Sequence, residues 1–339
     1  MGFEAYVRLS LGLESDEMRR HEFITLVDGA MVALPLAALA QQPGRTYRLG
    51  CLFTGRVQEL YDAFFESARR HGFIEGQNLT VDYRDFSQHF DLLSTWADEL
   101  SKSRVDVIAA GGALATRTVQ NATKEIPILA VTEDLVGEGL VNSMARPDGN
   151  TTGVSILATE LDGKRQELLI EAVPGVRRMA ALADSNRAAV KLEALQETAH
   201  ASNIDLSIQR VARGDEIAAA IEEAKSSGAE ALNVLASPML WANRKVIMDR
   251  VAVLHLPAIY QFPETAEEGG FAGYGPGLVE IFREPLGRQL VQLLQGTKVI
   301  DIPVEQPTKF ELVINLKTAN AMGVKVPPSL LLRADKLIE

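Results

Sequence analysis

From Tyr47 to Tyr260 the chain alternates between short runs of β-branched and apolar residues and longer stretches with a helical period. "YRLGCLF" (47–53) reads as a strand, and Val57–His71 as a helix with Leu60, Phe64, Ala68 and His71 on one face. Strand Leu79–Tyr83, helix Phe90–Ser101, the apolar strand "VDVIAAGG", helix Ala113–Ala122 and strand "IPILAV" (126–131) complete a first set. A second set follows: helix Thr159–Ala172, strand 177–184, helix Ala188–Ser202, strand "IDLSIQRV", helix Asp215–Ser226, strand "AEALNVLA" (229–236), helix Leu240–Leu254 and strand "LPAIY" (256–260). Strands joined through helices pair in parallel and are covered on both faces. The pattern predicts an α/β protein of two Rossmann-like lobes, each a parallel sheet flanked by helices, meeting near Gly153–Thr159. A chain of 339 residues is long enough for two such lobes.

The N-terminus carries a different signal. "MRRHEFITLVDGAMVALPLAALAQQ" (18–42) has a basic head at Arg19, Arg20 and His21, an apolar run from Ile24 to Leu39, and an A-x-A end at Ala38-Leu39-Ala40. Those are the three parts of a secretory signal peptide. The run is shorter than the roughly 20 residues a spanning helix needs, and it contains Asp28. Residues 1–17 hold Glu4, Glu14, Asp16 and Glu17 against Arg8, the wrong charge for the front of a signal. The expectation is a non-native extension over 1–17, a signal peptide over 18–40 cleaved after Ala40, and an exported, periplasmic protein. Cys51 is the one cysteine, so neither an internal disulfide nor a thiolate metal cluster can form. A net charge of −11 argues against a nucleic-acid partner.

In open parallel sheets, ligands sit beyond the C-terminal ends of the strands. The residues just after each expected strand are Thr54-Gly55, Gly112-Ala113, Thr132-Glu133-Asp134, Asp184-Ser185-Asn186, Ser237-Pro238 and Tyr260-Gln261, with Tyr274 in "GGFAGYGPG". This set is polar but mostly uncharged. Hydroxyls and N–H groups can take a carboxylate, an aspartate an ammonium group, and tyrosines the walls of a side-chain pocket. Asp184, Ser185 and Asn186 equally suit a helix cap. The sequence contains no G-x-x-x-x-G-K-[ST], H-E-x-x-H or G-x-S-x-G motif, and its five histidines are scattered. Binding is favoured over catalysis, with no cofactor and no metal; a two-lobed enzyme is the weaker alternative.

Several stretches, "IEGQNLTVDYR", "GGALA", "ARPDGNTTGVS", "KRQELLIEAVPGVRRMAALAD", "GGFAGYGP" and the block from "IPVEQPTKF" to the C-terminus, resemble the ABC-transporter substrate-binding proteins, in their tryptophan/tyrosine-binding-like branch. The resemblance covers Met18 to Glu339. It implies the periplasmic binding protein type I fold, with two lobes hinged by three crossing segments: 46–155 plus about 277–300, and 156–276 plus about 301–339. It also implies a monomer that closes on a small carboxylate, an amino acid (aromatic or branched among the options) or a related carboxylate such as a small aromatic acid, and delivers it to an ABC permease in the membrane. A sensor feeding a membrane signalling protein would use the same cleft. Carried over by position, the cleft comprises Thr54, Gly55, Gly112, Ala113, Asp134, Asn186, Ser237, Tyr260 and Tyr274. Thr54 and the N–H groups at Gly112-Ala113 would hold the carboxylate, Asp134 the ammonium, and Tyr260 and Tyr274 the side chain. Leu135 stands where relatives often have proline, and Gly277 where they have a polar residue.

Overall fold

The computed structural model describes residues 45–87, 89–157, 160–186 and 192–339, so the expected extension and signal peptide over 1–40 lie outside it. Two sheets organise the chain. The first holds β1 (Tyr47–Phe53), β2 (Leu79–Asp85), β3 (Val107–Gly111), β4 (Ile128–Thr132) and β5 (Thr151–Ser155), in the order β2-β1-β3-β4-β5. All its pairings are parallel. The second holds β6 (Arg178–Asp184), β7 (Asp205–Val211), β8 (Ala231–Val234), β9 (Ala258–Tyr260), β10 (Ala272–Gly275), β11 (Glu311–Asn315) and β12 (Lys336–Ile338), in the order β12-β11-β10-β9-β8-β6-β7. It departs from the expected all-parallel pairing at one place, because β11 runs antiparallel to β10. β11 follows a return excursion through the first lobe and re-enters the sheet from the opposite end.

The apolar strands are apolar because both their faces are covered. In β3, Val107 and Ala109 face one helical layer while Ile108 and Ala110 face the other, and all four are fully buried. The helix Gln58–Arg70 turns Tyr61, Phe64, Phe65 and Ala68 inward onto the first layer. It packs there against Leu278, Ile281, Leu286 and Leu290, which come from helices that follow β10 in sequence. The chain thus passes between the sheets three times: after Ser155, at Pro276-Gly277, and between Glu305 and Glu311. The expected helix Leu240–Leu254 is two, Pro238–Ala242 and Arg244–Val253, parted at Asn243.

The strand β5 was not expected, because "TTGVS" has a glycine at its centre. Gly153 has φ +149°, and a Cβ there would lie 1.8 Å from the Ala130 carbonyl oxygen. Beyond β5, Glu305 of the third crossing exchanges backbone hydrogen bonds with Gly153 and Ser155 (3.0 and 2.9 Å), so the edge is covered. Gln289 donates to the Pro303 carbonyl at 3.1 Å and to the Glu305 carboxylate at 2.9 Å, pinning the same segment. Gly153→Ala is expected to cost about 3 kcal/mol or more through backbone strain and overpacking together. Urea denaturation of the full chain reads it; an unchanged midpoint would contradict the crowding at β5.

Candidate ligand-binding site

A cavity of about 100 Å³ lies where the strand ends of the two sheets face each other. One wall comes from Phe53, which ends β1, with Thr54 and Gly55 after it; from Gly111, which ends β3, with Gly112; and from Thr132, which ends β4, with Glu133. The opposite wall comes from Ser237, Pro238 and Trp241 after β8, and from Gln261 and Phe262 after β9. Tyr61 and Phe64 of the helix Gln58–Arg70, together with Tyr83, Leu278 and Phe282, close the side. Gly112 permits the close approach of the two walls. It caps the helix Ala113–Ala122 at φ +84°, and a Cβ on it would stand 3.0 Å from Pro238 Cγ.

The lining is dominated by rings. Phe53 stacks on Tyr83 with centroids 6.0 Å apart and planes 14° apart, and lies 6.0 Å from Phe282. Across the cavity, Trp241 meets Phe262 edge-on at 5.2 Å. The Arg244 guanidinium covers the Trp241 ring at 3.9 Å, and is itself held by Glu268 at 2.7 and 2.8 Å. The Tyr61 hydroxyl donates to Glu75 and that of Tyr83 to the Gly55 carbonyl, both at 2.7 Å. Burial pushes both phenols far above their ordinary range, and the Glu75 carboxylate adds to this at Tyr61. Both rings stay neutral, with their hydroxyls already engaged.

Few polar groups in the lining are uncommitted. Ser237 donates to Asp184 at 2.6 Å and accepts from the Met239 and Leu240 N–H groups, so its hydroxyl caps the helix Pro238–Ala242. Gln261 accepts from the Ser237 N–H at 2.9 Å and donates to the Ser237 carbonyl at 3.1 Å. By contrast, Thr132 Oγ1 is buried and makes no hydrogen bond among the described residues. Glu133 is only 4% exposed. It is the one charged side chain of the lining, and makes no ion pair among the described residues.

Of the nine expected site residues, Thr54, Gly55, Gly112 and Ser237 line the cavity. The Gly55 N–H is engaged by Asp85 at 2.7 Å. Ala113 opens the helix behind Gly112 and packs against the cluster of Leu135 and Leu140. Four residues stand elsewhere. Asp134 turns its carboxylate onto the N–H groups of Val136 and Gly137 (3.2 and 2.9 Å), so it closes a turn while its neighbour Glu133 faces the cavity. Asn186 is exposed and donates to the Ala212 carbonyl at 2.7 Å. Tyr260 is 2% exposed inside the core of the second sheet. Tyr274 packs on another core of that sheet, its carbonyl accepting from Arg165 at 3.1 Å. The rings that line the cavity are Phe53, Tyr61, Phe64, Tyr83, Trp241, Phe262 and Phe282. Phe64 belongs to the core and borders the cavity as well.

Two α/β sheets, mostly parallel, with their strand ends facing across a cavity, are the architecture of the periplasmic binding proteins of type I. The chain belongs to the ABC transporter substrate binding protein family, whose model matches residues 56–338. A tyrosine-binding protein of Clostridioides difficile (strain R20291) is 26% identical over 273 residues, 77% of this chain and 76% of that protein. Two solved structures share the fold. One is an ABC domain from Streptococcus pneumonia in complex with L-Trp, with TM-score 0.75 and 22% identity, covering 86% of this chain and 100% of that one. The other is a conserved domain protein from Vibrio cholerae, with TM-score 0.78 and 20% identity at the same coverage.

Proposed function

We propose that the protein is the exported solute receptor of an ABC importer and that it binds an aromatic amino acid in the cavity between its sheets. The observation that carries this is the lining itself: seven rings, from both walls and the side, with one buried carboxylate and one buried hydroxyl that has no partner among the described residues. An apolar pocket with a few convergent polar groups selects a ligand of matching shape and charge. Glu133 takes the ammonium group, in the role that the sequence assigned to Asp134. Thr132 Oγ1, buried and without a hydrogen bond among the described residues, gains a partner when the ligand arrives, which offsets the cost of its burial. Thr54 and the N–H groups opening the helix Ala113–Ala122 meet the carboxylate. Trp241 and Phe262 approach from the opposite wall, so the ligand holds the sheets together and stabilises the closed arrangement. The relatives named for tyrosine and solved with L-Trp support the aromatic choice.

The signal peptide would carry the chain across the inner membrane, and the closed form would present itself to a permease. Among the described residues, no helix is long and apolar enough to cross a membrane. A thermal-shift screen of the protein from Gln41 onward, against the twenty amino acids and small aromatic acids, tests the ligand class. A ligand present at about 100 times its Kd adds roughly 2.7 kcal/mol to stability, a shift of several degrees. The expected hits are tyrosine, tryptophan or phenylalanine; hits confined to non-aromatic solutes would overturn the assignment.

A further inference from the structure

The second crossing, Pro276-Gly277, carries a polar contact that the cavity itself does not use. Glu264 lies on the short helix Pro263–Glu267, just after the cavity residue Phe262. Its Oε1 accepts the Val279 N–H at 3.2 Å, in the first turn of the helix Leu278–Ile281. That helix packs with the first sheet, and its Leu278 also lines the cavity. One carboxyl therefore joins the two halves of the molecule beside the ligand site. Its other oxygen, Oε2, is buried and makes no hydrogen bond among the described residues.

The charged groups around Glu264 do not neutralise it. On its own helix, Glu267 is paired with Lys336 at 2.7 Å. Facing it across a groove of about 690 Å³, Glu280 is paired with Arg283 at 3.1 Å and Glu305 with Arg288 at 2.7 Å. Lys309 is taken by Glu311, and Glu284 pairs with Arg70 at 3.6 Å. Glu59 adds a further negative charge from the helix Gln58–Arg70. Each cation of the groove has its own carboxylate, and none forms an ion pair with Glu264 among the described residues.

We propose that Glu264 is a positioning residue that takes up a proton when the crossing adopts the arrangement seen here, so that ligand affinity rises as pH falls through neutrality. Burial pushes its carboxyl up to about 7, against backbone N–H groups that hold it down and with the charge of Glu267 acting in the same sense as burial. In water a glutamate titrates near about 4.3. Between those values this arrangement binds more protons than one in which Glu264 is solvated. Acidification from pH 8 to pH 6 therefore favours it, by about tenfold in its equilibrium. Proton uptake through an open and a closed form rests on the binding reading above.

The experiment is calorimetric titration of L-tryptophan into the protein from Gln41 onward at pH 6, 7 and 8. The expected Kd is about tenfold tighter at pH 6 than at pH 8, with about half a proton taken up per ligand at pH 7, read from buffers of different ionisation enthalpy. Glu264→Gln keeps the acceptor for Val279 and cannot titrate. It should flatten the profile, with an affinity at pH 8 near the wild-type value at pH 6. A Kd constant within twofold across the range, with no proton uptake, overturns the proposal while leaving the binding reading intact. No binding of L-tryptophan, nor of L-tyrosine or L-phenylalanine in its place, at any pH overturns the binding reading instead. Glu264 is then still tested without ligand: the thermal midpoint of Glu264→Gln should gain on the wild type as pH rises from 6 to 8, and a constant difference overturns its titration.

Discussion

Replacing Arg165 with alanine is expected to cost about 3–5 kcal/mol of folding stability, because it strands a buried charge. Arg165 is 0% exposed and Asp162, its ion-pair partner one turn earlier, is 4% exposed. The Asp162 carboxylate also accepts the Ala236 N–H at 3.1 Å, directly before the cavity residues Ser237 and Pro238. The guanidinium reaches the Tyr274 carbonyl at 3.1 Å, near the end of β10. The pair therefore ties the ends of β8 and β10 to the helix Asp162–Ala172, beneath the site. Arg213 offers the control, since its pairs with Asp215 and Glu216 are solvent-exposed and removing them should cost under about 1 kcal/mol. Urea denaturation of both variants checks the contrast; equal midpoints would show that the buried pair holds nothing.

Glu133→Gln is expected to weaken an aromatic amino acid by about 2–3 kcal/mol, some 30- to 150-fold, by removing the charge proposed to meet its ammonium group. Indole-3-propionate, which has no ammonium group, should bind the variant no worse than the wild type. Asp134→Asn should change affinity less than about threefold, because that side chain closes a turn with Val136 and Gly137 outside the cavity. The opposite ranking, Asp134 critical and Glu133 silent, would return the ammonium role to the residue first expected from the sequence.

The two neighbouring acids show how far the sequence could be read. Strand–helix alternation placed β1 at 47–53 and the helix Ala113–Ala122 at its observed bounds, since covered parallel strands are apolar on both faces. Alternation failed where glycine replaces that pattern. β5 has Gly153 against the Ala130 carbonyl, and β10, "AGYG", is crowded by the Phe262 and Gln261 carbonyls. At the site, the rule of reading just beyond strand ends found Thr54, Gly112 and Ser237, because backbone topology alone puts them there. It could not say which way each side chain turns. Tyr260 ends β9 with its ring in the core, and Asp134 is spent on the turn at Gly137. Trp241 and Tyr61 reach the cavity from helices, each as the fourth residue of its helix and well past the strand end, where the rule does not look. Their spacing on apolar helix faces was visible, but core residues share that spacing.

Calorimetric titration of the protein from Gln41 onward with L-tyrosine and L-tryptophan tests the proposed binding most directly. One saturable site per chain with a negative heat-capacity change is expected, because rings leave water for the wall of Phe53, Tyr83, Trp241 and Phe262. L-alanine, with the same charged groups and no ring, should bind far more weakly. Folded protein that takes up neither aromatic amino acid, or that binds L-alanine equally well, would contradict the proposed binding.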